Sequence, residues 1–250
     1  MAVSIKSARE IELMREAGKR LAHVHQELEA MIAPGISTWE IDAKGEKLIR
    51  DCGCIPNFLH YNGYPASICV SVNDEVVHGI PRKDRYLKEG DIVSLDAGLI
   101  YKGYHSDAAR THAVGKVSTE AQKLMDVTKQ SFFEGIKMAK EGQYLHDISR
   151  AIEEYVTPYG YGIVRDLVGH GIGTALHEDP QIPNYAQKRR GVRLQAGMTL
   201  AIEPMINAGT WQVRFLRDGW TVVTKDGSLS AHYENTILVT DGEPEILTLY

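Results

Sequence analysis

Residues 94–107 read SLDAGLIYKGYHSD. The run IVSLDAGLI has strand composition, Tyr101-Lys102-Gly103 is a turn signal, and YHSDAARTHAV reads as the returning strand. A hairpin centred on Tyr101 and Lys102 sets Asp96 directly opposite Asp107. Cross-strand partners have Cβ atoms roughly 5 Å apart, where like charges destabilise a sheet unless positive charge lies between them. The hairpin therefore calls for a cation.

On either side of it, helix signals punctuate the chain. Ser7-Ala-Arg-Glu10 is a capping box that opens an apolar stripe of Ile11, Met14, Leu21, Val24 and Leu28, with Pro34-Gly35 to end it. Ser37-Thr-Trp-Glu40 is a second box, predicting a helix to about Cys52-Gly53. Strands are expected near 67–72, 91–100 and 104–114, helices near 119–140 and 145–157, then strands near 162–168, 198–206, 220–224 and 231–239. No low-complexity linker divides the chain.

Gly35 and Ile41 recur as Gly142 and Ile148, and Gly90 and Asp96 recur as Gly197 and Glu203, every pair 107 positions apart. One offset shared by two motifs points to an internal duplication of helix-helix-strand units, about 30–115 and 137–240, within a single domain spanning 1–250. Two halves would then face each other across one β-sheet.

Composition narrows the class. The 250 residues, 43% of them hydrophobic, suffice for a full core without staples. A formal charge of -5 and no basic run argue against a nucleic-acid scaffold. Cys52, Cys54 and Cys69 are odd in number and lack paired C-x-x-C spacing, which fits reduced cytosolic thiols. No apolar stretch reaches the roughly 18 residues of a membrane span, and MAVSIKSAREIELMRE is too polar for a signal peptide. The expectation is a soluble, cytoplasmic protein.

The duplication distributes acidic residues in two sets: Asp96 and Asp107 in the first half, Glu203 (LAIEPMI) and Glu234 (SAHYENTILV) in the second. A single strand carboxylate is ordinarily a solvent-facing one. These four share apolar strand settings, and Glu203 sits between an apolar run and a proline. Ten histidines cannot all be functional, and a lone histidine is more often structural than a ligand. His170 in VGHGIG, His177 in ALHEDP and His78 in VVHGIP stand out, because neighbouring small residues let backbone approach a ligand. His23, His25, His60, His146 and His232 lack such framing and are read as structural or exposed.

The ordered set Asp96, Asp107, His170, Glu203 and Glu234, with H-G-I-P, G-H-G-I-G, H-E-D-P, I-E-P-M and Y-E-N-T around them, resembles the type I methionine aminopeptidases over nearly the whole chain. The resemblance implies the α/β "pita-bread" fold, a pseudo-twofold duplicated antiparallel sheet covered by helices. It implies a dimetal centre in which Asp107 and Glu234 bridge two ions, Asp96 completes one site, and His170 and Glu203 complete the other. Such a mostly oxygen ligand set is compatible with Co, Mn, Fe or Zn. By the same resemblance Glu203 shuttles a proton, His177 steadies the carbonyl oxygen, His78 contacts the scissile amide, and Tyr61, Tyr64, Cys69, His78 and Trp220 line the methionine pocket. The family often has a bulky aromatic just before the second histidine, where this chain has Leu176. The implied substrates are N-termini of nascent polypeptides with a small second residue. The implied setting is a monomer that can meet the ribosome through its catalytic domain, without membrane or direct nucleic-acid contact.

Three related readings share the fold. Xaa-Pro aminopeptidases and prolidases have the same ligand set but usually carry a separate N-terminal domain, whereas the first helix here begins at about residue 7. A non-catalytic binding relative would be expected to have lost ligands, yet all five are present. A type II enzyme would carry a helical insert between His170 and Glu203, where only 32 residues lie.

Overall fold

The computed structural model describes residues 3–249. Its helices are α1 (Ala8–Glu29), α2 (Thr38–Asp51), α3 (Thr119–Ile136) and α4 (Leu145–Val156). Six strands precede α3 or directly follow α4: β1 (Ile55–Pro56), β2 (Ile68–Val72), β3 (Glu75–Val77), β4 (Ile92–Tyr101), β5 (Tyr104–Ala113) and β6 (Gly162–Ile163). The rest are β7 (Gly169–Gly171), β8 (Glu178–Ile182), β9 (Thr199–Ile202), β10 (Met205–Asn207), β11 (Val213–Phe215), β12 (Val222–Thr224), β13 (Ser230–His232), β14 (Glu234–Leu238) and β15 (Glu245–Ile246).

Both expected capping boxes form. The Ser7 and Ser37 side chains each accept from the backbone N–H three residues on, while Glu10 and Glu40 reach back to the cap N–H groups. Helix α1 ends at Glu29, short of the Pro34-Gly35 stop, and Met31 and Ile32 turn back against the core instead.

The main sheet runs β1-β4-β5-β14-β9-β7-β8, with β2 added to β4 and β15 to β14. Every pairing in it is antiparallel. Along β4 the alternation of the pleat sends Val93, Leu95, Ala97 and Leu99 into a core under α1 and α2. A second core joins Leu200, Ile202 and Ile237 of β9 and β14 to α3 and α4. The helices thus cover one face of the sheet and leave the other to the polar positions of the same strands.

Corresponding jobs recur 107 residues on. Gly35 N–H bonds to Leu87 carbonyl and Gly142 N–H to Leu194 carbonyl, while Gly90 N–H reaches Val114 and Gly197 N–H reaches Val239. All four glycines have φ between 86° and 93°, a conformation that costs other residues energy. Ile41 and Ile148 are fully buried in α2 and α4. The architecture is the pita-bread fold, an antiparallel sheet duplicated about a pseudo-twofold and covered by helices.

The hairpin differs from its sequence reading. Tyr101 pairs with Tyr104, so the loop is Lys102-Gly103, both at positive φ (49° and 85°), as a two-residue turn matched to strand twist requires. The register therefore moves: Asp107 faces Gly98, and Asp96 faces Ala109. The two aspartates lie on a diagonal of one face instead of directly opposite.

Candidate metal centre and active-site cavity

Two rows of side chains cross the uncovered face. In the first, Asp96 pairs with Ala109 and Ala109 with Glu234. Glu203 follows β9 by one residue, at the end of the same row. In the second, Gly98 pairs with Asp107, and His170 with Ala201, which pairs with Thr236. Thr236 joins the two parts of this row, accepting from the Asp107 N–H at 3.0 Å and donating to its carbonyl at 2.9 Å. Small residues separate the ligand types along each row. A Cβ at Gly98 would come within 2.6 Å of the Asn57 amide nitrogen and 3.1 Å of Asp107 Oδ1, so the position across from that carboxylate is kept bare mainly by Asn57.

Ligand atoms of Asp107, His170 and Glu234 all lie within 4.8 Å of one another. His170 Nδ1 sits 2.8 Å from the Gly171 carbonyl, to which it donates, and Nε2 points to Glu203 Oε1 at 3.7 Å. Burial pushes the Asp96 carboxyl up to about 7 and raises Asp107, Glu203 and Glu234 well above the usual carboxylate range, where their mutual repulsion adds to it. His170 is held down at about 3 by burial and then by His177. Asp96 Oδ1 and Asp107 Oδ1 are buried without a hydrogen-bond partner among the described residues. Four carboxylates and one neutral imidazole, with orphaned oxygens and no Lys or Arg in the described cavity lining, form a donor set that fits divalent cations.

These groups form the floor of a cavity of about 240 Å³. Its walls are Tyr61, Tyr64, Cys69, His78, Leu176, His177 and Trp220, together with Phe58 and Asn62. The Tyr64 ring meets Trp220 edge-on at 5.2 Å and its hydroxyl donates to the Gly79 carbonyl at 2.9 Å. His78 has φ 58° and lies edge-on to Trp220 at 6.2 Å; burial, then His177, lowers it to about 4. The Tyr61 hydroxyl is 2.8 Å from His177 Nδ1, and burial lowers the His177 imidazole too. Cys69 pairs with Asp96 across β2 and β4, and burial and that carboxylate raise its thiol well above its usual value.

Every site residue singled out in the sequence lines this one cavity. Two further lining residues, Phe58 and Asn62, and one neighbour of the site outside the lining, His232, were not singled out. Phe58 and Asn62 flank Tyr61 in a loop where Asn62 takes φ 48°, a conformation asparagine tolerates, and the N-G pair at Asn62-Gly63 was the available signal. His232, read as structural or exposed, is 1% exposed and places Nε2 3.7 Å from Glu203 Oε2. Burial, then His78 and Arg110, lower it to about 3. Its proximity to Glu234 in sequence was the clue. His25, by contrast, is buried and does not line the cavity; its Nε2 is bonded to the Ala108 carbonyl at 2.8 Å.

A face-sharing set of acidic and imidazole ligands on this duplicated sheet is a candidate metal centre, and the chain belongs to metallopeptidase family M24, whose signature matches residues 12–241. Within the family its likeness is to the methionine aminopeptidases. It is 54% identical to the methionine aminopeptidase of Clostridium acetobutylicum, over 99% of both chains. The crystal structure of the Thermotoga maritima methionine aminopeptidase superposes with a TM-score of 0.97 at 46% identity, covering 100% of each chain. The prolidase of Pyrococcus furiosus shares the fold alone, with a TM-score of 0.78 at 24% identity over 98% of this chain and 65% of that one.

Proposed function

We propose that the protein removes N-terminal methionine from peptides and nascent polypeptides, preferring a small second residue. The observation that carries this reading is the convergence of Asp96, Asp107, His170, Glu203 and Glu234 on one cavity beside a sulfur- and aromatic-lined pocket. Asp107 and Glu234 would bridge two ions, with Asp96 on one and His170 and Glu203 on the other. Mn, Fe, Co and Zn all suit these donors. Two divalent ions held there supply Lewis acidity, making a water nucleophilic near neutral pH and polarising the scissile carbonyl.

The chain's own residues do the rest. Glu203 accepts a proton from the attacking water and returns it to the leaving amine. His177 donates from Nε2 to the carbonyl oxygen as charge grows on it, and His78 binds the scissile amide. Tyr64, Cys69, Leu176 and Trp220 take the methionine side chain, whose thioether favours aromatic edges about 5 Å away. The one domain, 1–250, with halves at about 30–115 and 137–240, contributes ligands from both halves. Among the described residues no helix is long and apolar enough to cross a membrane, which suits work in the cytoplasm on chains leaving the ribosome.

The test is release of methionine from Met-Ala-Ser, compared with Met-Val, Ala-Pro and Xaa-Pro peptides, after chelation and re-addition of each of the four metals. Metal-dependent cleavage of Met-Ala-Ser is expected. Cleavage of the prolyl peptides alone would overturn the reading in favour of a prolidase-like enzyme, and no cleavage of any would make it a binding relative.

A further inference from the structure

Glu203 lies between two imidazoles. Its Oε1 is 3.7 Å from His170 Nε2 and its Oε2 is 3.7 Å from His232 Nε2. Neither ring nitrogen of His232 has a hydrogen-bond partner among the described residues, although the side chain is almost wholly buried. A buried N–H without a partner costs free energy, so such groups in native proteins are paired or poised to be paired. The acidic group beside it is Glu203, whose Oε2 is 3.7 Å from Nε2.

The mounting of His232 is rigid. Its backbone N–H donates to Thr111 Oγ1 at 2.8 Å, and that hydroxyl donates back to the His232 carbonyl at 2.9 Å. On the other side, the Asn184 amide donates to the Glu203 carbonyl at 3.1 Å, fixing that residue's backbone. Both partners are therefore held while the gap between their side chains stays half an ångström or so longer than a hydrogen bond. Contacts of this kind in an unloaded site are commonly long and tighten when it is occupied.

We propose that His232 is a positioning residue: its Nε2–H holds Glu203 Oε2, so that Oε1 stays turned toward His170, the pair that would hold an ion. This rests on the reading of Glu203 as a metal ligand. A hydrogen bond to a ligating carboxylate fixes its orientation, and losing such a partner typically costs 10–100-fold in metal affinity. The side chain that can replace it is glutamine, whose amide reaches about as far as the imidazole Nε2; asparagine falls a methylene short.

The experiment measures Co²⁺ binding by calorimetry and by visible absorption on the full chain, stripped of metal, for wild type, His232→Gln, His232→Asn, His232→Leu and Glu203→Gln, with melting curves for each. His232→Leu and His232→Asn are expected to weaken Co²⁺ binding 10–100-fold and to alter the absorption bands, with His232→Gln within about threefold of wild type. Equal affinity for the glutamine and asparagine variants overturns the proposal, as does wild-type affinity in a folded His232→Leu protein. If the leucine variant does not fold, the glutamine–asparagine pair decides alone. Glu203→Gln should lose at least tenfold; if it binds Co²⁺ as wild type does, the ligand reading itself has failed, a result distinct from failure of the His232 assignment.

Discussion

The Tyr61 hydroxyl lies 2.8 Å from His177 Nδ1, with the two rings 5.5 Å apart. Burial keeps His177 below its ordinary value, and a phenol that donates to Nδ1 selects the tautomer protonated on Nε2. The proton of the ring is then on Nε2, the nitrogen left free for the cavity. Tyr61→Phe should lower kcat/KM roughly two- to tenfold, the worth of one hydrogen bond, without loss of bound metal. Unchanged kinetics would mean that the phenol does not set the tautomer.

Removing the imidazole altogether should cost more. His177→Ala is expected to lower kcat about 10²-fold while metal content, read by atomic absorption, stays near normal. A metal-depleted variant would mark His177 as a ligand and overturn its assignment at the carbonyl oxygen.

The buried carboxylates make the metal-free protein pH-sensitive in a defined direction. Asp96 is raised to about 7, chiefly by burial, against about 3.9 unfolded. A raised group stabilises the fold fully below its unfolded value, and that contribution disappears as pH climbs through the folded value. Asp107, Glu203 and Glu234 move in the same sense. At about 1.4 kcal/mol per pH unit for one retained proton, the chelated protein should lose roughly 5–10 °C in Tm between pH 5 and 7. Asp96→Asn should flatten that slope; parallel curves for the two proteins would show that Asp96 retains no proton there.

Leu176 is 3% exposed, packed with Phe58, Tyr64 and Cys69 at the cavity wall. A phenylalanine there fills space on the substrate side. Leu176→Phe should sharpen preference for methionine over larger or branched first residues, or for small second residues, by about 10- to 200-fold in kcat/KM ratios. Ratios for Met-Ala, Met-Val and Leu-Ala peptides that stay within twofold would place the side chain away from the substrate.

What the sequence disclosed follows from where local chemistry decides. Ser7 and Ser37 announce α1 and α2 because a cap and its glutamate are three residues apart and need no tertiary help. The four carboxylates were visible as strand positions among apolar neighbours, and period-two alternation does put them on one face. The hairpin register was not visible, because Lys102 accepts a positive φ that composition alone does not assign to lysine. The error was of two places in pairing, so the pleat kept both aspartates on the same face. The two- and three-residue strands β1, β3, β11 and β15 are too short to show alternation. His232 stands two residues before Glu234, a weak signal, and its 3.7 Å approach to Glu203 is tertiary, which nothing in SAHYEN reports.

The rows that cross the sheet draw Asp96 and Asp107 from one half and Glu203 and Glu234 from the other. Like charges so distributed push on the seam between halves, and a cation held by both sides pulls on it. An ion held between Asp107 and Glu203 would then be a removable cross-link, closing a loop of about a hundred residues of chain. Loading the site would stiffen the whole molecule along its pseudo-twofold, and stripping it would slacken the same seam, far beyond the few side chains that touch the ion.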